Sequence, residues 1–97
     1  MKVVLSEQAK KDMRWWRNYY RKAFPAGNAK ASVHLAKAVE LLSENAYLGS
    51  GMEGYNLRKY QIHRTPFALI YRVKDDEVEI ARVWDGRKDP QKFHAKQ

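Results

Sequence analysis

The sequence has no cysteine, only three prolines and only five glycines in 97 residues. Without cysteine it can build neither a disulfide framework nor a thiolate metal site, and three scattered histidines do not make a zinc site in their place. No metal or other cofactor is therefore expected, and the lack of disulfides suits a reducing cytosol. Long apolar runs are also missing. Met1 to Leu5 is too short for a signal peptide, and nothing later approaches a membrane span, so a cytoplasmic protein with no membrane partner is expected. Ninety-seven residues leave no material for a second core, and the expectation is a single domain over residues 1–97. Acidic residues are few as well, eleven against nineteen Lys and Arg, which leaves a net charge of +8 and a pI near 9.8. That excess favours an anionic partner, either nucleic acid or an acidic protein segment, and the plain alternative is a domain that happens to be basic. At 44% hydrophobic and 12% aromatic, the chain still has the apolar surface for a core and is not a disordered tail.

The pattern along the chain predicts the elements. Lys2 to Leu5 is short and β-branched, a first strand. Ser6 offers a helix N-cap with Glu7 in the first turn, where the helix dipole favours negative charge. Ala9, Met13, Trp16, Tyr20 and Phe24 then recur at helical steps, while Lys11, Arg14, Arg17 and Arg21 form a basic stripe on the opposite face. Pro25 ends that helix, since the residue before proline is pushed out of the α region. A second helix from about Asn28 to Glu44 carries Ala31, Leu35, Ala38 and Leu42 inward and folds back on the first as a hairpin. Three glycines within residues 49–54 predict a loop. Tyr55 to His63, Phe67 to Val73 and Val78 to Trp84 read as strands, with Arg64-Thr65-Pro66 and Asp75-Asp76 as the connections. If Lys74 pairs with Glu77, then Arg72 lies opposite Glu79, Tyr71 opposite Ile80 and Val73 opposite Val78. Strict alternation then puts Phe67, Leu69, Tyr71, Val78, Ile80 and Trp84 on the face beneath the helices, together with Arg82, which there needs an acidic partner or an exposed sheet end. The order is β-α-α-β-β-β, an α+β fold.

Five stretches carry a family likeness. They are Ala9-Lys10-Lys11-Asp12-Met13 followed by Tyr19-Tyr20, then Asn45-Ala46-Tyr47-Leu48-Gly49, then Asn56-Leu57-Arg58-Lys59-Tyr60, then Arg64 to Val73, and last Ile80 to Pro90. In this order and at this length the chain resembles the RelE/ParE toxin superfamily, closer to the ParE branch. The likeness implies a helical hairpin packed on a small antiparallel sheet. It also implies the toxin of a type II toxin–antitoxin system, a hetero-oligomer with a cognate antitoxin. The superfamily holds two mechanisms. RelE-like members cut messenger RNA on the ribosome with Lys, Arg and sometimes His or Tyr on the sheet, whereas ParE-like members lack that set and poison DNA gyrase, and the likeness to them also implies a role in plasmid stabilization.

Metal-independent RNA cleavage needs a base at the 2′-hydroxyl, an acid at the leaving oxygen and cations for the developing charge. RelE-like enzymes place an arginine early in the third strand, and here that position is Ala68. Phe93 stands near where RelE keeps a tyrosine, and it offers no proton. The remaining catalytic candidates are His63, Arg87 and His94, since imidazole serves as acid or base near neutrality. The plain alternative is a strand-end histidine and an exposed tail histidine, with mid-helix His34 a surface or boundary residue. Arg14, Arg17, Arg21, Arg58, Arg64, Arg72, Arg82 and Lys88 are candidates for antitoxin or nucleic-acid contact, against an ordinary solvated face with Arg72 consumed by Glu79. Trp15, Trp16 and Trp84 read as core or antitoxin-groove aromatics. The sequence thus favours a ParE-like gyrase inhibitor without chemistry of its own. The alternatives are a ribosome-dependent endoribonuclease and a member that only binds its antitoxin.

Overall fold

The computed structural model describes residues 1–23 and 28–86. Helix α1 (Glu7–Ala23) starts where Ser6 predicts it: the Ser6 Oγ accepts the Ala9 amide at 3.0 Å. The same hydroxyl donates to the Ala81 carbonyl at 2.8 Å, so one side chain caps the helix and ties it to the last strand. Ala9, Trp16 and Tyr20 are buried along one face of α1, and Met13 packs beside them. Helix α2 (Asn28–Glu44) buries Ala31, Leu35, Ala38 and Leu42, the four positions its spacing picked out. Both helices feed one core with Phe67, Leu69, Tyr71, Val78, Ile80 and Val83. Phe24 and Pro25, which the sequence gives as the end of the first helix, lie outside the described residues.

The sheet has five strands, β1 (Lys2–Leu5), β2 (Ser50–Gly51), β3 (Arg58–Gln61), β4 (Phe67–Lys74) and β5 (Glu77–Asp85), in the order β1-β5-β4-β3-β2. Every neighbouring pair is antiparallel except β1, which lies parallel to β5. The α+β architecture of a helical pair on a mostly antiparallel sheet is as expected, but the sheet has one strand more. Ser50 and Gly51, expected in a loop, pair with Lys59 and Arg58. The strand expected from Tyr55 is correspondingly shorter. Residues 52–57 form the β2–β3 connection instead, closed by the Met52 amide on the Leu57 carbonyl at 2.9 Å and reversed at Gly54, whose φ is 81°.

The β4–β5 register is the expected one near the turn, with Arg72 opposite Glu79 and Tyr71 opposite Ile80. Asp75 and Asp76 both take left-handed φ, 53° and 59°, as a two-residue primed turn demands. Further along, the expected alternation fails. A register shift at Ile70/Tyr71 leaves Ala81 unpaired, so Arg82 rather than Ala81 lies opposite Ile70. The bulge exchanges the faces beyond it. Val83 enters the core beneath the helices, whereas Trp84 joins Leu57 and Ile70 on the other side of the sheet. Trp84 and Arg82 are therefore not on the helix-covered face.

Candidate functional site

Beyond Ile80, strand β5 has no neighbour on its β1 side, because the last β1 pair is Leu5 with Ile80. Helix α1 supplies the missing partner. Asp12 accepts the Val83 amide at 3.0 Å and two nitrogens of Arg82, Nε at 2.8 Å and Nη2 at 3.3 Å. Arg82 also lies over the Trp84 ring, 5.3 Å from its centroid. Of the two outcomes expected for Arg82, an acidic partner or an exposed sheet end, it has the acidic partner, Asp12, seventy residues away in the chain. Arg72 is likewise held, with its Nε 2.6 Å from Glu79. Ala68 lies on the same side of the sheet, opposite Gln61 and Trp84, and is fully buried. The two candidate arginines on this side are therefore engaged by carboxylates, and the position between the neighbouring strands offers a methyl group.

At the other end of β3, Arg58 organises the segment after α2. Its Nε donates to the Gly49 carbonyl at 3.0 Å, its Nη2 donates to the Tyr47 carbonyl at 3.1 Å, and its guanidinium lies over the Tyr47 ring. The Gly49 amide in turn donates to the buried Tyr71 hydroxyl at 2.9 Å. Only glycine fits there: a Cβ on residue 49 would stand 2.7 Å from the Lys59 carbonyl oxygen and 2.8 Å from that hydroxyl. Tyr47, Met52, Tyr55, Leu57, Arg58 and Arg72 line a cleft of about 240 Å³ over this region.

Of the catalytic candidates His63, Arg87 and His94, only His63 lies among the described residues. His63 follows β3 and meets His34 of α2, ring centroids 5.6 Å apart, in a cavity of about 280 Å³ that Tyr60 and Lys37 also line. Arg64, at a left-handed φ of 60°, donates its Nε to the His63 Nε2 at 3.2 Å. Arg87, Lys88 and His94 lie outside the described residues. Arg14, Arg17 and Arg21 are exposed on α1, as their spacing predicts. Three features were missed by sequence reasoning. They are the role of Asp12, the contact of His34 with His63, and the cleft around Tyr47. The unsatisfied Arg82 was a signal for the first; nothing local signalled the other two. Among the described residues no group of His, Cys, Asp or Glu is arranged to hold a metal ion, and no helix is long and apolar enough to cross a membrane.

Residues 3–90 match a family model described as the ParE toxin of the type II toxin–antitoxin system parDE. Among solved structures, the chain is similar to the chromosomal ParDE toxin–antitoxin system from P. aeruginosa. The identity is 27% and the TM-score 0.70, with 86% of this chain and 92% of that chain covered. It also resembles in fold the YoeB–YefM complex from Staphylococcus aureus, at 18% identity and a TM-score of 0.56, covering 86% and 93% of the two chains. A heterotetrameric YoeB–YefM complex from the same organism aligns at 17% identity and a TM-score of 0.57, with the same coverage. No curated protein matches the chain.

Proposed function

The chain belongs to the ParE toxin family of type II toxin–antitoxin systems, and from that premise we propose that it poisons DNA gyrase by binding it and is neutralised by a cognate antitoxin. The observation that carries the choice against ribosome-dependent RNA cleavage is the state of the sheet face where a cleavage site would lie. Ala68 is a buried methyl there, Arg72 is paired with Glu79, and Arg82 is paired with Asp12. Removing one charge-stabilising donor from a catalytic site costs on the order of 10²–10³ in rate. Arg72 stands four residues from position 68, about 13 Å at strand rise, so it is no substitute. His63 turns to α2, which leaves the acid–base pair of the alternative without its first member on that face.

For the antitoxin, the cleft around Tyr47 offers what an acidic, apolar-anchored segment needs. Exposed Tyr47, Tyr55 and Leu48 lie beside Arg58, next to the short edge strand β2. The purified chain should lower supercoiling by gyrase and accumulate cleaved DNA complexes, and its expression alone should induce the SOS response and filamentation. Codon-phased cuts in ribosome-bound message that vanish in His63→Ala or His94→Ala, with antitoxin binding kept, would establish the ribonuclease instead.

A further inference from the structure

Half of the chain's net charge of +8 sits on one helix: α1 holds six Lys and Arg against two acids. Both acids are already engaged, Glu7 with Lys10 at 3.1 Å and Asp12 with Arg82 at 2.8 Å. Lys11, Arg14, Arg17 and Lys22 are exposed and make no ion pair among the described residues, and Arg21 bonds only the neutral Asn18. At helical pitch these side chains share one face, opposite buried Ala9, Trp16 and Tyr20, and run about 16 Å from Lys11 to Lys22.

We infer that this stripe is a docking surface for the phosphate backbone of duplex DNA, which gives the toxin a sequence-independent affinity for DNA of its own. Charge complementarity decides the occupant. Lys10, Lys11, Arg14, Arg17, Asn18, Arg21 and Lys22 make up the stripe, and half-exposed Trp15 borders it with its ring stacked on Tyr19 and edge-on to Phe67, so the stripe's own side chains give a peptide segment no apolar anchor. The other exposed large apolar residues among those described, Met1, Val33, Tyr47, Leu48 and Tyr55, lie outside α1. What the stripe does present is a row of cations on a rigid rod, three of them arginines able to grip a phosphate with two parallel hydrogen bonds. A row of evenly spaced single charges is the feature of a nucleic-acid strand, and contacts of this kind position a protein without reading bases. The inference does not depend on the gyrase reading, because it is measured without gyrase.

The test is fluorescence anisotropy of a short, mixed-sequence, fluorescein-labelled duplex with the full chain, across salt from about 50 to 200 mM. The wild-type chain is expected to bind with steeply salt-dependent affinity. The variant Arg14→Gln/Arg17→Gln/Arg21→Gln should bind at least about tenfold more weakly at low salt and lower the slope of log affinity against log salt by about 2.7, since each lost phosphate contact removes about 0.9. Lysines at the same three positions should keep the wild-type slope. If the triple glutamine variant fails to fold, Arg17→Gln alone should lower the slope by about 0.9. No binding by the wild-type chain, an unchanged slope in the variants, or a triple variant that keeps DNA but loses its antitoxin would overturn the assignment; the last outcome would make the stripe a protein-binding surface.

Discussion

Asp12 accepts a strand amide and two nitrogens of an arginine, and its side chain keeps only 12% of its surface exposed. Deleting it leaves the Val83 amide and the guanidinium of a three-quarters-buried arginine side chain without their acceptor, and breaking such a partnership from one side costs more than removing both partners. Asp12→Ala should therefore lower the stability to urea by roughly 2–3 kcal/mol. Arg82→Ala should cost less, because Asp12 keeps the Val83 amide. The loss in the double variant should fall short of the sum of the two single losses by about 1 kcal/mol or more, the signature of a coupled pair. Strictly additive losses would show that the contact contributes nothing. The sequence left Arg82 either an acidic partner or an exposed sheet end, from a face assignment that the bulge overturned. The identity of the partner was not legible, because spacing arguments reach a few residues and Asp12 is seventy away. Gly49 is a similar case. Its place after the second helix was legible, but the reason it must be glycine, the approach of Tyr71 and the Lys59 carbonyl, appears only once β3 and β4 are side by side.

Strands and helices were legible where a periodic pattern and a stop signal coincide. The inward residues of α2 and the N-cap of α1 fall on the expected positions because burial alone sets the first and a single hydroxyl sets the second. Strand β2 was not legible: two residues, one of them glycine, have no period to detect, and they pair only because β3 passes beside them. The bulge at Ile70/Tyr71 escaped for a different reason. Alternation is a rule for unbroken ladders, and one extra residue, Ala81, shifts every side chain after it to the other face. The turn of the same hairpin offers a clean test. Asp75 and Asp76 hold φ of 53° and 59°, a region that costs any side chain energy and that glycine enters freely. Asp76→Gly turns the connection into the favoured Asp-Gly pair and should raise the stability of the whole chain by about 0.5–1 kcal/mol. A fall in the urea midpoint would mean that the Asp76 carboxylate makes a contribution larger than its backbone strain.

Across the molecule, the basic stripe of α1, bordered by half-exposed Trp15, and the main group of exposed apolar side chains lie on different elements. The cations of α1 form a polar stripe, whereas Tyr47, Leu48 and Tyr55 gather at the β2–β3 end of the sheet beside Arg58. The expectation of an anionic partner came from a total of +8, and a total carries no address. Two surfaces of different chemistry resolve that total into two kinds of contact with different responses to salt. A contact made by exposed cations is screened within about 8–10 Å at ordinary ionic strength, while burial of tyrosine and leucine is not. The antitoxin complex should therefore survive gel filtration at moderate salt, and the antitoxin is expected to be a small acidic protein encoded beside the toxin. By isothermal titration, Tyr47→Ala should weaken the complex by roughly 1–2 kcal/mol, the usual cost of removing an aromatic anchor. Glutamine at positions 14, 17 and 21 should change it by less than about 0.5 kcal/mol, as surface substitutions away from an interface do. The reverse ranking would place the antitoxin on α1 and leave the Tyr47 cleft without the partner assigned to it.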